Sequence, residues 1–111
     1  MTDIYTHILD LAALVSDVPA DSILSRTILD APDTRAVMFR FAAGQELSEH
    51  TAAMPAILHF ISGTAKLILG GEPQDARPGA WVHMPARMPH SVYAETEVIM
   101  LLLLIKASAE S

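Results

Sequence analysis

The chain contains no cysteine. Disulfides, thiolate metal sites and cysteine nucleophiles are therefore all excluded. Basic residues are few: Arg26, Arg35, Arg40, Lys66, Arg77, Arg87 and Lys106 form no cluster, and against 13 acidic residues they leave a net charge of -6. A nucleic-acid partner is not expected from such a balance. Long apolar runs are missing too. The longest, Val98 to Ile105, has eight residues, where a membrane span takes about 20. No membrane partner is expected, and the protein is expected in the cytoplasm. There is no repeat of solenoid period, no low-complexity linker and no glycine-rich loop opening a helix.

What is present is apolar. Hydrophobic residues make up 51% of the 111 and charged residues 18%. A chain of this length, read as one domain over 1–111, can build one core but leaves much surface uncovered. Apolar surface covered by a second copy follows, so a homodimer is expected.

Only residues 1–20 carry a helical pattern, with Ile8, Leu11, Ala12 and Val15 at three- and four-residue steps before Pro19; a short N-terminal helix or turn is predicted near 10–16. From Ser22 onward, proline and glycine leave only short intervals, which favours strands. Strands are predicted at 22–29, 37–41, 56–62, 64–69 and 97–106. Ser62-Gly63 and Gly70-Gly71 are read as tight turns. The last strand is apolar on both faces and is expected at the centre of a sheet.

Two segments frame the histidines: Gly44-(x5)-His50-(x12)-Gly63 and Gly79-(x5)-Pro85-(x4)-His90. Their landmarks resemble the two signature motifs of the cupin superfamily, G-(x5)-H-x-H-(x3 or 4)-E-(x6)-G and G-(x5)-P-x-G-(x2)-H-(x3)-N. The resemblance covers roughly residues 35 to 106, with the first motif at 44–63 and the second at 79–94. It implies an all-β fold, the cupin double-stranded β-helix or jelly-roll barrel, here with a short N-terminal helix. It also implies a metal site whose ligands this chain only partly retains. Ala52 stands where the family has a second histidine and Ala56 where it has a glutamate; Arg87 replaces a glycine of the second motif and Ala94 its asparagine.

A divalent metal in a barrel takes three or four convergent protein ligands. His50 and His90 supply a pair. His83 is the best spare ligand, whereas His59 should face away if position 56 faces in. The cofactor expected is a divalent transition metal bound weakly, at low occupancy. Around the pair, Arg87, Met54, Met88 and Tyr93 form the expected pocket for a small apolar or aromatic acid, while Met38, Met84 and Met100 are assigned to the core. No residue is assigned a catalytic role, since no serine lies in a nucleophile-elbow context. Three functions stay open: a module binding a small organic ligand, a metal-dependent enzyme of dioxygenase or isomerase type, and a structural or regulatory module with a vestigial pocket.

Overall fold

The computed structural model describes residues 4–106. Residues 1–3 and 107–111, the ends of the expected 1–111 domain, lie outside the described residues.

Among the described residues nine strands follow one another: β1 (Ile23–Asp30), β2 (Thr34–Phe41), β3 (Glu46–His50), β4 (Ala56–Ser62), β5 (Ala65–Leu69), β6 (Glu72–Ala76), β7 (Trp81–Met84), β8 (His90–Ala94) and β9 (Val98–Ile105). They form two antiparallel sheets, one of five strands in the order β1-β2-β9-β4-β7 and one of four in the order β3-β8-β5-β6. The fold is all-β, as expected, with the two sheets closing on a common core as a jelly-roll barrel.

Period-two alternation explains most of the packing. In β4, Ala56, Leu58 and Phe60 are buried while Ile57 and His59 between them are only partly covered. In β5, Ala65 and Leu67 are buried and Lys66 and Ile68 are exposed. The inward sets meet between the sheets with Phe41, Val92, Ala94, Val98 and Met100. Met38, Met84 and Met100 are buried core side chains. The β5–β6 hairpin turns on Gly70 and Gly71, both at positive φ. Two residues in the left-handed region make the turn whose twist suits a two-residue hairpin, and glycine adopts it without a Cβ penalty.

The apolar β9 lies between β2 and β4. Its inner face joins the main core, and Ile99 and Leu101 on its outer face join a second cluster with Met38, Val15, Leu11 and Ala12. The N-terminal segment therefore covers part of the sheet, and of the helix or turn expected near 10–16 it forms the turn. Only Leu11–Leu14 form a four-residue 3₁₀ turn, with no side-chain cap at Asp10. So short a piece cannot repay helix nucleation, and it is instead pinned from outside. Arg26 donates to the carbonyl of Leu14, and Arg40 donates to those of Val15 and Ser16 while pairing with Glu97.

Candidate functional site

His50 and His90 stand directly opposite each other on the neighbouring strands β3 and β8. His90 faces inward with Val92 and Ala94, and its partner across β5 is Leu69. Strict alternation from the inward-facing Leu47 would give that face to Glu49 and send His50 outward. A bulge prevents this: Leu47 pairs with Val92 and His50 with His90, three steps on one strand against two on the other. The extra residue resets the parity of β3. The imidazole centroids are 4.2 Å apart, with the ring planes tilted by 57°.

Each ring is held from behind by its own strand or the loop before it. His50 Nδ1 lies 2.8 Å from the carbonyl oxygen of Ser48, and His90 Nδ1 lies 3.0 Å from that of Met88. A carbonyl oxygen only accepts, so each Nδ1 carries the proton and donates. In a neutral ring the lone pair then sits on Nε2. The site thus presents two imidazole nitrogens of the same tautomer. His90 is buried at 6% exposure, and His50 is exposed at the rim.

The loops leaving these strands meet. The backbone N–H of Arg87, in the β7–β8 loop, donates to the carbonyl of Ala52, in the β3–β4 loop, at 2.7 Å. Met88 packs on the edge of the main core and touches the Gly70 turn. Met54 is partly covered within the 51–55 loop. Arg87, Met88 and Met54 therefore lie on the two loops that follow or precede the histidines.

Two expected members fall elsewhere. Tyr93 lies three residues from His90 on β8, hence on the other face, opposite Lys66 and Glu46 and exposed. A surface hollow lined by Lys66, Ile68, Pro73, Gln74 and Asp75 lies on β5 and β6 and includes neither histidine. The spare ligand His83 pairs with Ile57 on the outer face of the five-stranded sheet, while Val82 and Met84 face inward. His59, opposite Trp81, shares that outer face. Sequence reasoning had no signal for the two carbonyl anchors at Ser48 and Met88, because any residue type supplies a carbonyl.

The groups with displaced pKa values are also remote. Lys66 holds the Asp75 carboxyl below its ordinary range through a hydrogen bond and charge, and Lys106 does the same for Asp30. Both pairs are at the surface. Their small stabilisation is present above the ordinary carboxylate range and is lost as pH falls through the lowered values.

Residues 37–106, most of the chain, match the family model of the cupin domain. The chain is a member of the cupin superfamily. It is similar to a conserved protein of unknown function from Streptococcus pyogenes, at 31% identity and a TM-score of 0.83 over 95% of this chain and 91% of that one. A cupin 2 conserved barrel domain protein from Leptotrichia buccalis is 32% identical, with a TM-score of 0.77 over 85% of this chain and 46% of that one. A salicylate 1,2-dioxygenase from Pseudaminobacter salicylatoxidans, 16% identical, superposes with a TM-score of 0.72 over 86% of this chain and 30% of that one. At that identity the likeness is one of fold. No curated protein matches the chain.

Within this cupin the donor set does not fit a metal centre of three or more protein ligands. Among the described residues no group of three or more His, Cys, Asp or Glu side chains comes together. Position 56 is indeed inward and buried, where a ligand would have to be, but it carries only a methyl group. Two imidazoles alone leave most of a divalent ion's coordination to water and bind it weakly. No helix among the described residues is long and apolar enough to cross a membrane.

Proposed function

We propose that this cupin is a binding module that takes a small organic ligand at the His50–His90 pair and holds a divalent metal there only weakly. The observation that carries the reading is the pair itself, with both Nδ1 atoms occupied and both Nε2 atoms available, and with no third His, Cys, Asp or Glu grouped with it among the described residues. Two oriented polar atoms at the edge of an apolar interior are the usual make-up of a small-molecule site. Nearby, Leu69 and Met88 border that interior.

Protein purified without added metal is expected to carry less than about a tenth of an equivalent of transition metal, as a two-ligand site implies. Zinc titration followed by imidazole nitrogen NMR is expected to move the Nε2 signals of His50 and His90 together. Either His50→Ala or His90→Ala should abolish the response, and His83→Ala should leave it unchanged. A stoichiometric metal that survives dialysis against chelator would overturn the reading in favour of a metal-dependent enzyme.

We also propose a second copy of the chain as its protein partner. Ile4, Tyr5 and Leu9 on the N-terminal stretch are 91%, 75% and 91% exposed, and Trp81 and Ile105 on the outer face of the five-stranded sheet are 61% and 40% exposed. Exposed apolar side chains of this kind are what a second copy would cover, each partner of a standard interface burying about 800 Å². Light scattering at micromolar concentration should give twice the chain mass, and replacing Ile4, Tyr5 and Leu9 by serine should shift the protein toward monomer. A wild-type monomer would remove the proposal.

A further inference from the structure

Arg87 has a backbone φ of +67°. The left-handed region is costly for a long L side chain and is ordinarily left to glycine or asparagine. Among the described residues the other non-glycine there is Asp21, a type whose short polar side chain tolerates it. Arg87 occupies the third position of the turn Pro85–Met88, closed by the Met88 N–H on the Pro85 carbonyl. With a positive φ at that position the turn is of the type that calls for glycine. The backbone keeps the shape that glycine would take, yet the residue is arginine. The same residue is bound to the opposite loop, its N–H donating to the Ala52 carbonyl at 2.7 Å.

Strain of this kind persists where it serves a site. Arg87 lies three residues before His90, which limits the separation of their Cα atoms to about 11 Å, and it is tied to the residue two beyond His50. Its side chain is exposed and, like those of Arg35 and Arg77, has no ion pair or hydrogen bond among the described residues, whereas Lys66, Lys106 and Arg40 are engaged with carboxylates; of the three, Arg87 is the one on a loop next to the histidines. In a chain of net charge -6, an exposed guanidinium carried on the loop next to the two imidazoles, where no Asp or Glu among the described residues completes a cluster with them, is placed to draw an anion toward the pair. We infer that Arg87 is the specificity-determining residue of the His50–His90 site and that the ligand it selects is a carboxylate, bound in two-pronged fashion by the guanidinium. The inference rests on the binding-module reading and goes further by fixing the chemical class of the ligand.

Benzoate and its neutral isostere benzamide are the probes, titrated into the intact protein while the His50 and His90 imidazole signals are followed. Benzoate should bind at least about tenfold more tightly than benzamide, as a charge-assisted pair implies. Arg87→Gly and Arg87→Ala should each remove that preference without abolishing the benzamide response. Only Arg87→Gly should raise the melting temperature, by about 4–8 °C if the relieved strain is of ordinary size. Equal affinities for the two probes, or a preference surviving in both variants, would overturn the role of Arg87 while leaving the histidine site intact. If neither probe moves the histidine signals, both the inference and the binding reading beneath it fall.

Discussion

The double variant Ala52→His, Ala56→Glu is expected to raise zinc affinity by about two orders of magnitude or more, because it restores a set of four convergent donors. The backbone is already suited to the change. Ala56 lies on the inward face of β4, and Ala52 contributes only its carbonyl to the loop contact with Arg87, so a new side chain there leaves that bond in place. The metal-free variant should suffer for it. A carboxylate at position 56, now 2% exposed among Leu58, Met84 and other core residues, would be buried without a partner, at a cost of about 3–5 kcal/mol. Metal binding would offset that loss, since a ligand held only by the folded state stabilises it by mass action. The melting temperature of the variant should therefore be depressed without zinc and rise steeply with it. The wild type should show little dependence on zinc. Calorimetric titration and thermal melts read both effects, and a variant with unchanged zinc affinity would show that positions 52 and 56 do not converge with the histidines.

Gly63→Ala is expected to be the most damaging single methyl group that can be added to a glycine here. At Gly63 φ is +84°, and a Cβ would stand 2.0 Å from the backbone oxygen of Glu97. The obstacle is main chain, so no rotamer change can relieve it. The β4–β5 turn docks against the β8–β9 turn, where the N–H groups of Glu95 and Thr96 both reach the Thr64 carbonyl and the Thr64 N–H reaches Thr96 Oγ1. Adding a methyl group must pry these turns apart. Left-handed strain and overpacking together should cost about 3–5 kcal/mol, a large share of the 5–15 kcal/mol typical of a domain. Urea unfolding measures this. Gly44→Ala is the control, since a Cβ there meets nothing within 4 Å and only the positive φ is strained.

Gly63 illustrates how far residue patterns reach. Ser62-Gly63 reads as a turn from sequence, and a turn is what forms, but the contact that makes glycine indispensable comes from residues more than thirty positions away. Tyr93 is a different case. Three residues from His90 on one strand is odd parity, so alternation alone was enough to put the phenol on the outer face. For His83 no such argument was available, because the Pro85 turn separates it from His90; its pairing with Ile57 decides its side. At the N-terminus the apolar period yields a single 3₁₀ turn rather than a regular helix, and it serves to seat Leu11, Ala12 and Val15 against β2 and β9.

The positions of β1, β2, β4, β5 and β9 and the turn glycines were legible because a strand repeats every two residues and a turn demands particular backbone angles, both local properties of the chain; β3, β6, β7 and β8, short and less regular in pattern, were not placed, and the facing of Ala56, Leu58 and Phe60 followed from the family motif. Whether His50 would meet His90 was not local. One additional residue between Leu47 and His50 reverses the facing of everything after it, and its placement depends on which partner residues β8 offers across the hydrogen-bonded ladder. The same holds for Arg87, whose left-handed backbone runs against the preference of its residue type and whose N–H is bound to the opposite loop.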